Sequence, residues 1–167
     1  MAQQLINNGT TAGDGTGEVL FNAFNKTNDN FTELYSRIKE VQVVVSTAQL
    51  KDLLANPKVL IAAAGAGKVI KLISMTGFLN YGTVAFNFTH DLDIKYQTSG
   101  IVIYNGQKAD WNQANDYYFN IDKAGGGGGQ LSANEGVVLT TVADATLGDG
   151  FITIVALYSE QDFNITP

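Results

Sequence analysis

Leu20, Phe24, Thr27, Phe31, Leu34, Ile38 and Val41 follow one another at alternating steps of four and three residues. That spacing lines up one stripe of a helix, with Phe24, Phe31 and Ile38 at heptad position a and Leu20, Thr27, Leu34 and Val41 at d. Only Thr27 breaks its apolarity. No other feature constrains the chain as strongly, because poor helix formers sit between the seam residues. Asn22, Asn25, Asn28 and Asn30 each cost roughly a few tenths of a kcal/mol against Ala. A helix built this way does not hold alone; burial of the stripe stabilises it. Phe21 and Tyr35 fall at e and Ala23 and Arg37 at g, while most charges (Lys26, Asp29, Glu33 and Glu40) fall at b, c or f. Two-stranded coils usually carry charge at e and g. An apolar flank suits three or more helices, or docking onto a larger body, and a homotrimer is the first expectation. The pattern predicts an oligomerising or anchoring helix over residues 18–41, roughly 35 Å long from Val19. Thr16 is placed to cap it and Glu18 to sit in its first turn.

Before this helix, residues 1–17 ("NNGTTAGDGTG" within them) read as a flexible or extended arm. After it the period falls to two. "VQVVVS" alternates, "TAQLKDLLA" reads as a short helix, and Pro57 stops it. There follow "KVLIAA", "KVIKLISMTGFLNY", "TVAFNF", "DLDIKY", "GIVIYN", "YYFNID", "EGVVLTTV" and "GFITIVALYS", separated by glycine-rich turn signals. The expected fold is therefore mainly β: an arm and a long amphipathic, coiled-coil-like stem, then an antiparallel β-sandwich or jelly-roll-like head over 42–167. Gly125–Gly129 reads as a mobile loop.

Charge and composition narrow the function. Ten Lys and Arg against sixteen Asp and Glu leave a net charge of −6, and Arg37 is the only arginine. A phosphate-backbone binder needs basic clusters, so nucleic acid is not an expected partner. Charged residues make up 16% of the chain, against roughly 25% in ordinary soluble domains. Much of the surface is therefore Asn, Thr, Ser, Gln and Gly, or is covered by a partner. There is no cysteine, hence no disulfide and no thiol site. The sequence shows no secretory signal pattern, and "VLIAAAGAGKVIKLI" is too broken by Gly and Lys for a membrane span.

Few residues invite chemistry. "AAAGAGKVI" fails the phosphate-loop pattern: Ala62 stands where a Gly is needed and Val69 where Ser or Thr is needed, so it reads as a hairpin turn. Asp91, Asp93 and Lys95 share one face of a strand, either as half of a cation or acid/base site or as a solvated face. His90 is the only histidine, which leaves no triad and no multi-histidine metal site. No catalytic residue, metal or cofactor is expected. The recognition candidate is "DWNQANDYY". There Trp111, Asn112, Gln113, Asn115, Tyr117 and Tyr118 combine flat apolar faces with amides, a mixture that suits a sugar ring or a protein interface. The competing reading is a Trp packed beneath a loop.

"INNGTTAGDGTGEVLFNAFNKTNDNFTELY", residues 6–35, resembles a segment near the start of many tailed-bacteriophage virion proteins, especially tail fibres and related appendages. The Gly-Thr-x-x-x-Asp-Gly-Thr-Gly run from Gly9 to Gly17, Ala23-Phe24, Asn28-Asp29-Asn30-Phe31 and Leu34-Tyr35 carry the likeness, and Phe21-Asn22 departs from it. The β-region, with "STAQLKDL", "LNYGT" and "DLDIKY", looks like a domain found among phage structural proteins. The resemblance implies a non-enzymatic virion component, such as a tail-fibre, head-fibre or decoration protein. It would contact other virion proteins through its arm and helix. A carbohydrate-binding adhesin module recognising host-surface glycans is the alternative.

Overall fold

The computed structural model describes residues 5–7, 15–123 and 131–162. The chain forms two compact units, Met1–Lys39 and Glu40–Pro167. In the first, α1 spans Leu20–Ser36, a helix of 17 residues. This corrects the expected stem over 18–41: no long amphipathic helix is present among the described residues. The reason lies in Val41, which fits both a seven-residue and a two-residue period. The β-branched run that follows decides for the strand. β1 starts at Lys39 (Lys39–Val45), and Val41 and Val43 pack against the β core. Ile38 falls in the turn between helix and strand. The start of the helix differs too. Val19 is the N-cap and makes no side-chain cap bond. Glu18 instead pairs with Lys26, and its amide donates to the Asn7 carbonyl at 2.9 Å.

The second unit is mainly β. Its remaining strands are β2 (Lys58–Ile61), β3 (Lys68–Asn80), β4 (Leu92–Tyr96), β5 (Val102–Gly106), β6 (Tyr117–Asn120), β7 (Asp122–Lys123), β8 (Val137–Thr140) and β9 (Phe151–Asp162). The short helices are α2 (Thr47–Leu50), held by a Ser46–Gln49 capping box, and α3 (Lys108–Trp111). One sheet runs β1-β9-β3-β6 and the other β2-β8-β4-β5-β7, with every registered pair antiparallel. One hydrophobic cluster draws on both sheets, through Ile70, Leu79, Ile152 and Ile154 from the first and Leu92, Ile94 and Leu139 from the second. Tyr96 ties the sheets together, its hydroxyl donating to the Ile70 carbonyl at 2.5 Å. Because β2 and β3 belong to different sheets, the Gly65–Gly67 turn is a sheet-to-sheet connection and not the expected hairpin.

Two local departures matter for the surface. The β3–β9 register shifts between Leu72 and Ser74. This bulge reverses the parity of β3, so Ile70 and Leu72 face inward before it and Met75, Gly77 and Leu79 after it. Thr76 and Phe78 are thereby turned outward. The alternating "TVAFNF" run forms no strand. Its amides go to side chains instead: Thr83 and Val84 donate to Asp149 at 2.7 and 2.8 Å, and Phe88 donates to Asn112 at 2.8 Å.

Carboxylates hold several loops in this way. Asp149 also accepts from the Thr83 hydroxyl at 2.6 Å. That bond, then the Val84 and Thr83 amides, keep its pKa below the usual aspartate range. Glu135 accepts from the Thr98 and Ser99 amides at 2.7 and 2.8 Å and from Ser132 Oγ at 2.5 Å. Burial pushes its pKa up, but these bonds together draw it below the ordinary value. A carboxylate depressed in the folded state contributes stability above its unfolded pKa and loses it as pH falls through the folded one. The melting temperature should therefore be flat near neutral pH and drop as pH falls below about 4. Asp149→Asn should lower the neutral-pH melting temperature and blunt that drop. An unchanged acid limb in thermal melts of the variant would refute the clamp.

The second unit contains its own core, so a fragment of residues 40–167 should fold alone. Circular dichroism should show β signal and one cooperative melt. A fragment starting at 44 should be less stable, having lost Val41 and Val43 from β1.

Candidate interaction surfaces

In the first unit α1 has no buried residue. Leu20, Phe24, Phe31 and Leu34 are 51–70% exposed, and Phe21 and Tyr35 beside them more so. Thr27, the polar member of the seam, returns its hydroxyl to the Ala23 carbonyl at 2.9 Å. It therefore brings no unsatisfied donor to a contact. The Phe31 and Tyr35 rings lie 6.4 Å apart one turn along, and the Arg37 guanidinium donates to Glu33 at 2.7 Å. Of the seven seam residues proposed from spacing, the helix carries Leu20, Thr27, Leu34, Phe24 and Phe31. Ile38 and Val41 lie beyond it.

In the second unit the 110–118 segment divides. Trp111 closes α3 and is 0% exposed, its ring edge-on to Phe119 with centroids 4.8 Å apart. Glycine makes the space: a Cβ at Gly106 would come within 2.5 Å of the indole. Trp111 is thus a core residue and not available to a ligand. Asn112 holds Phe88 from both sides, accepting its amide and donating to its carbonyl, each at 2.8 Å. Gln113 donates to the Ala109 carbonyl and Asn115 to the Asp116 carbonyl, both at 2.8 Å. These amides shape the loop. Strand alternation in β6 then turns Tyr117 toward the core and Tyr118 outward, 78% exposed. Gly125–Gly129 lies outside the described residues, as do residues 8–14 of the arm.

Tyr118 has a neighbour that spacing did not reveal. It pairs in register with Phe78 of β3, and the two rings stack at 4.2 Å with 28° between planes. Phe78 faces outward only because of the bulge at Ile73.

The acidic candidates are occupied structurally. Asp91 accepts the Lys108 amide and Asp93 accepts from Asn105, both at 2.8 Å. Among the described residues no group of three His, Cys, Asp or Glu side chains is placed to hold a metal ion, and no helix is long and apolar enough to cross a membrane.

The family model described as "Bacteriophage T4 gp9/10-like protein, N-terminal" matches residues 3–163. The chain belongs to this T4 gp9/10-like family. The match includes both units, so the exposed helix and the two sheets belong to one family-defined region. It identifies the chain as a structural protein of the phage particle, in agreement with the resemblance carried by residues 6–35. No curated protein and no solved structure matches the chain.

Proposed function

We propose that this gp9/10-like chain is a non-enzymatic tail- or baseplate-type building block that self-associates through α1 and joins neighbouring virion proteins through its N-terminal unit. The observation that carries the proposal is the unburied stripe of Leu20, Phe24, Phe31 and Leu34. A contiguous apolar patch rimmed by polar residues marks an interaction site, and this helix needs burial to be stable. The contact is short, five seam residues on α1, and a trimer remains the expected stoichiometry because Phe21 and Tyr35 widen the stripe beyond a two-helix seam. Mass spectrometry and cryo-electron microscopy of purified particles should find the chain as an ordered oligomer at the tail. Its absence from particles would refute the assignment.

The alternative, a carbohydrate-binding adhesin module, has lost Trp111 to the core. Support for it comes from the outward face of β6 and β3.

A further inference from the structure

The outer face of the β1-β9-β3-β6 sheet differs in chemistry from the other sheet. Across β4 the outward positions include Asp93 and Lys95, with Val59 of β2 in the same row as Lys95. Across β6, β3 and β9 the in-register rows are Tyr118–Phe78–Thr153 and Asn120–Thr76–Val155. No charged side chain appears in either row, although the chain carries −6 overall. A depression of about 260 Å³ opens there, lined by Gln42, Thr76, Phe78, Tyr118, Thr153 and Val155.

We propose that this depression binds one ring of a neutral saccharide, stacked on the Tyr118–Phe78 pair. This rests on the adhesin reading for the class of ligand and is independent of assembly through α1. Three observations support it. The stacked pair presents the open face of Tyr118, which is 78% exposed. Aromatic faces are electron-rich and attract the partly positive C–H edges of a pyranose. Around the rings, Gln42, Thr76, Thr153 and Asn120 bring amides and hydroxyls that form no side-chain hydrogen bond among the described residues. A few such groups beside an apolar platform fix orientation, as in small-molecule sites generally. The lining of the depression carries no charged side chain, which matches an uncharged ligand. Glu40, exposed two residues from Gln42 on the same face of β1, would disfavour a sialic acid or phosphate. Size separates this occupant from a protein. A depression of about 260 Å³ takes one ring, whereas a stable protein contact would have to spread well beyond it, over about 800 Å² on each partner.

The full chain should be titrated by isothermal calorimetry and saturation-transfer NMR against neutral oligosaccharides of glucose, galactose and N-acetylglucosamine, with sialylated and phosphorylated sugars in parallel. Binding of a neutral sugar, weakened at least tenfold by Tyr118→Ala and by Thr153→Lys but kept by Tyr118→Phe, is the expected result. Both replaced side chains point to solvent, and circular dichroism checks that the variants fold. Binding that survives Tyr118→Ala and Thr153→Lys would overturn this site and leave the adhesin reading standing. Preference for the charged sugars would overturn it as well. If no sugar binds, both fall. If the variants then lose only incorporation into particles, the face is a protein interface instead.

Discussion

Phe31→Asp should convert the assembled protein to monomers in sedimentation velocity while leaving the melt of the β unit unchanged. Phe31 occupies an a position at the middle of the stripe and is 51% exposed in the single chain. In an oligomer that exposed half is what a neighbouring helix covers. A carboxylate there would be carried into an apolar contact with no donor to meet it: Thr27, the one hydroxyl of the seam, already bonds to Ala23. Burying such a charge costs several kcal/mol per helix unless it escapes to water, and a seam of five residues has little surplus with which to absorb that. The effect should repeat at Phe24 and vanish at Asn25, which points away from the seam. Thr27→Val should act in the opposite direction, because it adds apolar area without leaving a partner unsatisfied. A wild-type chain that sediments as a monomer with an ordered α1 would remove self-association and leave docking onto another virion protein. A Phe31→Asp variant that stays oligomeric would place the interface elsewhere.

How legible this was in the sequence depended on what each pattern measures. Alternation reports which side chains are buried, and where a ladder was also present it located the strand: β4, β5 and β9 fall where "DLDIKY", "GIVIYN" and "GFITIVALYS" placed them. In "TVAFNF" the same alternation was real, since Phe86 and Phe88 are both buried. The backbone there is satisfied by Asp149 and Asn112, so burial came without pairing. The heptad seam failed at its end for a related reason, since a residue shared by two periods belongs to whichever element its neighbours favour. On the candidate face, Tyr118 was readable, because an inward Phe119 in a strand forces it out. Its partner Phe78 was not. Whether Phe78 points in or out depends on one extra residue in β3 opposite β9, and nothing local to Phe78 records that bulge.

Trp111 also leaves a signal in the sequence: Gly106, a glycine in a strand pattern, where close approach of another group is a usual cause. The second large effect is expected from this pair. As the only tryptophan, Trp111 gives an unambiguous emission, which should be blue-shifted and almost unquenched by acrylamide until the chain unfolds. Trp111→Ala should cost about 3–5 kcal/mol in denaturant unfolding, the range for emptying a large aromatic site. Trp111→Phe should cost much less than its lost volume suggests. The indole Nε1 is buried without a hydrogen-bond partner, so the replacement also removes an unsatisfied donor. Gly106→Ala is the more searching test. Its Cβ would meet the indole at 2.5 Å, forcing the ring or the strand aside at a cost of about 1–3 kcal/mol. If the contact is the cause, that cost should shrink when Trp111 is already Leu, giving a coupling that a double-mutant cycle measures directly. Equal cost of Gly106→Ala in both backgrounds would mean that the glycine serves the backbone and not the ring. Ready quenching in the folded chain would mean that Trp111 is not in the core.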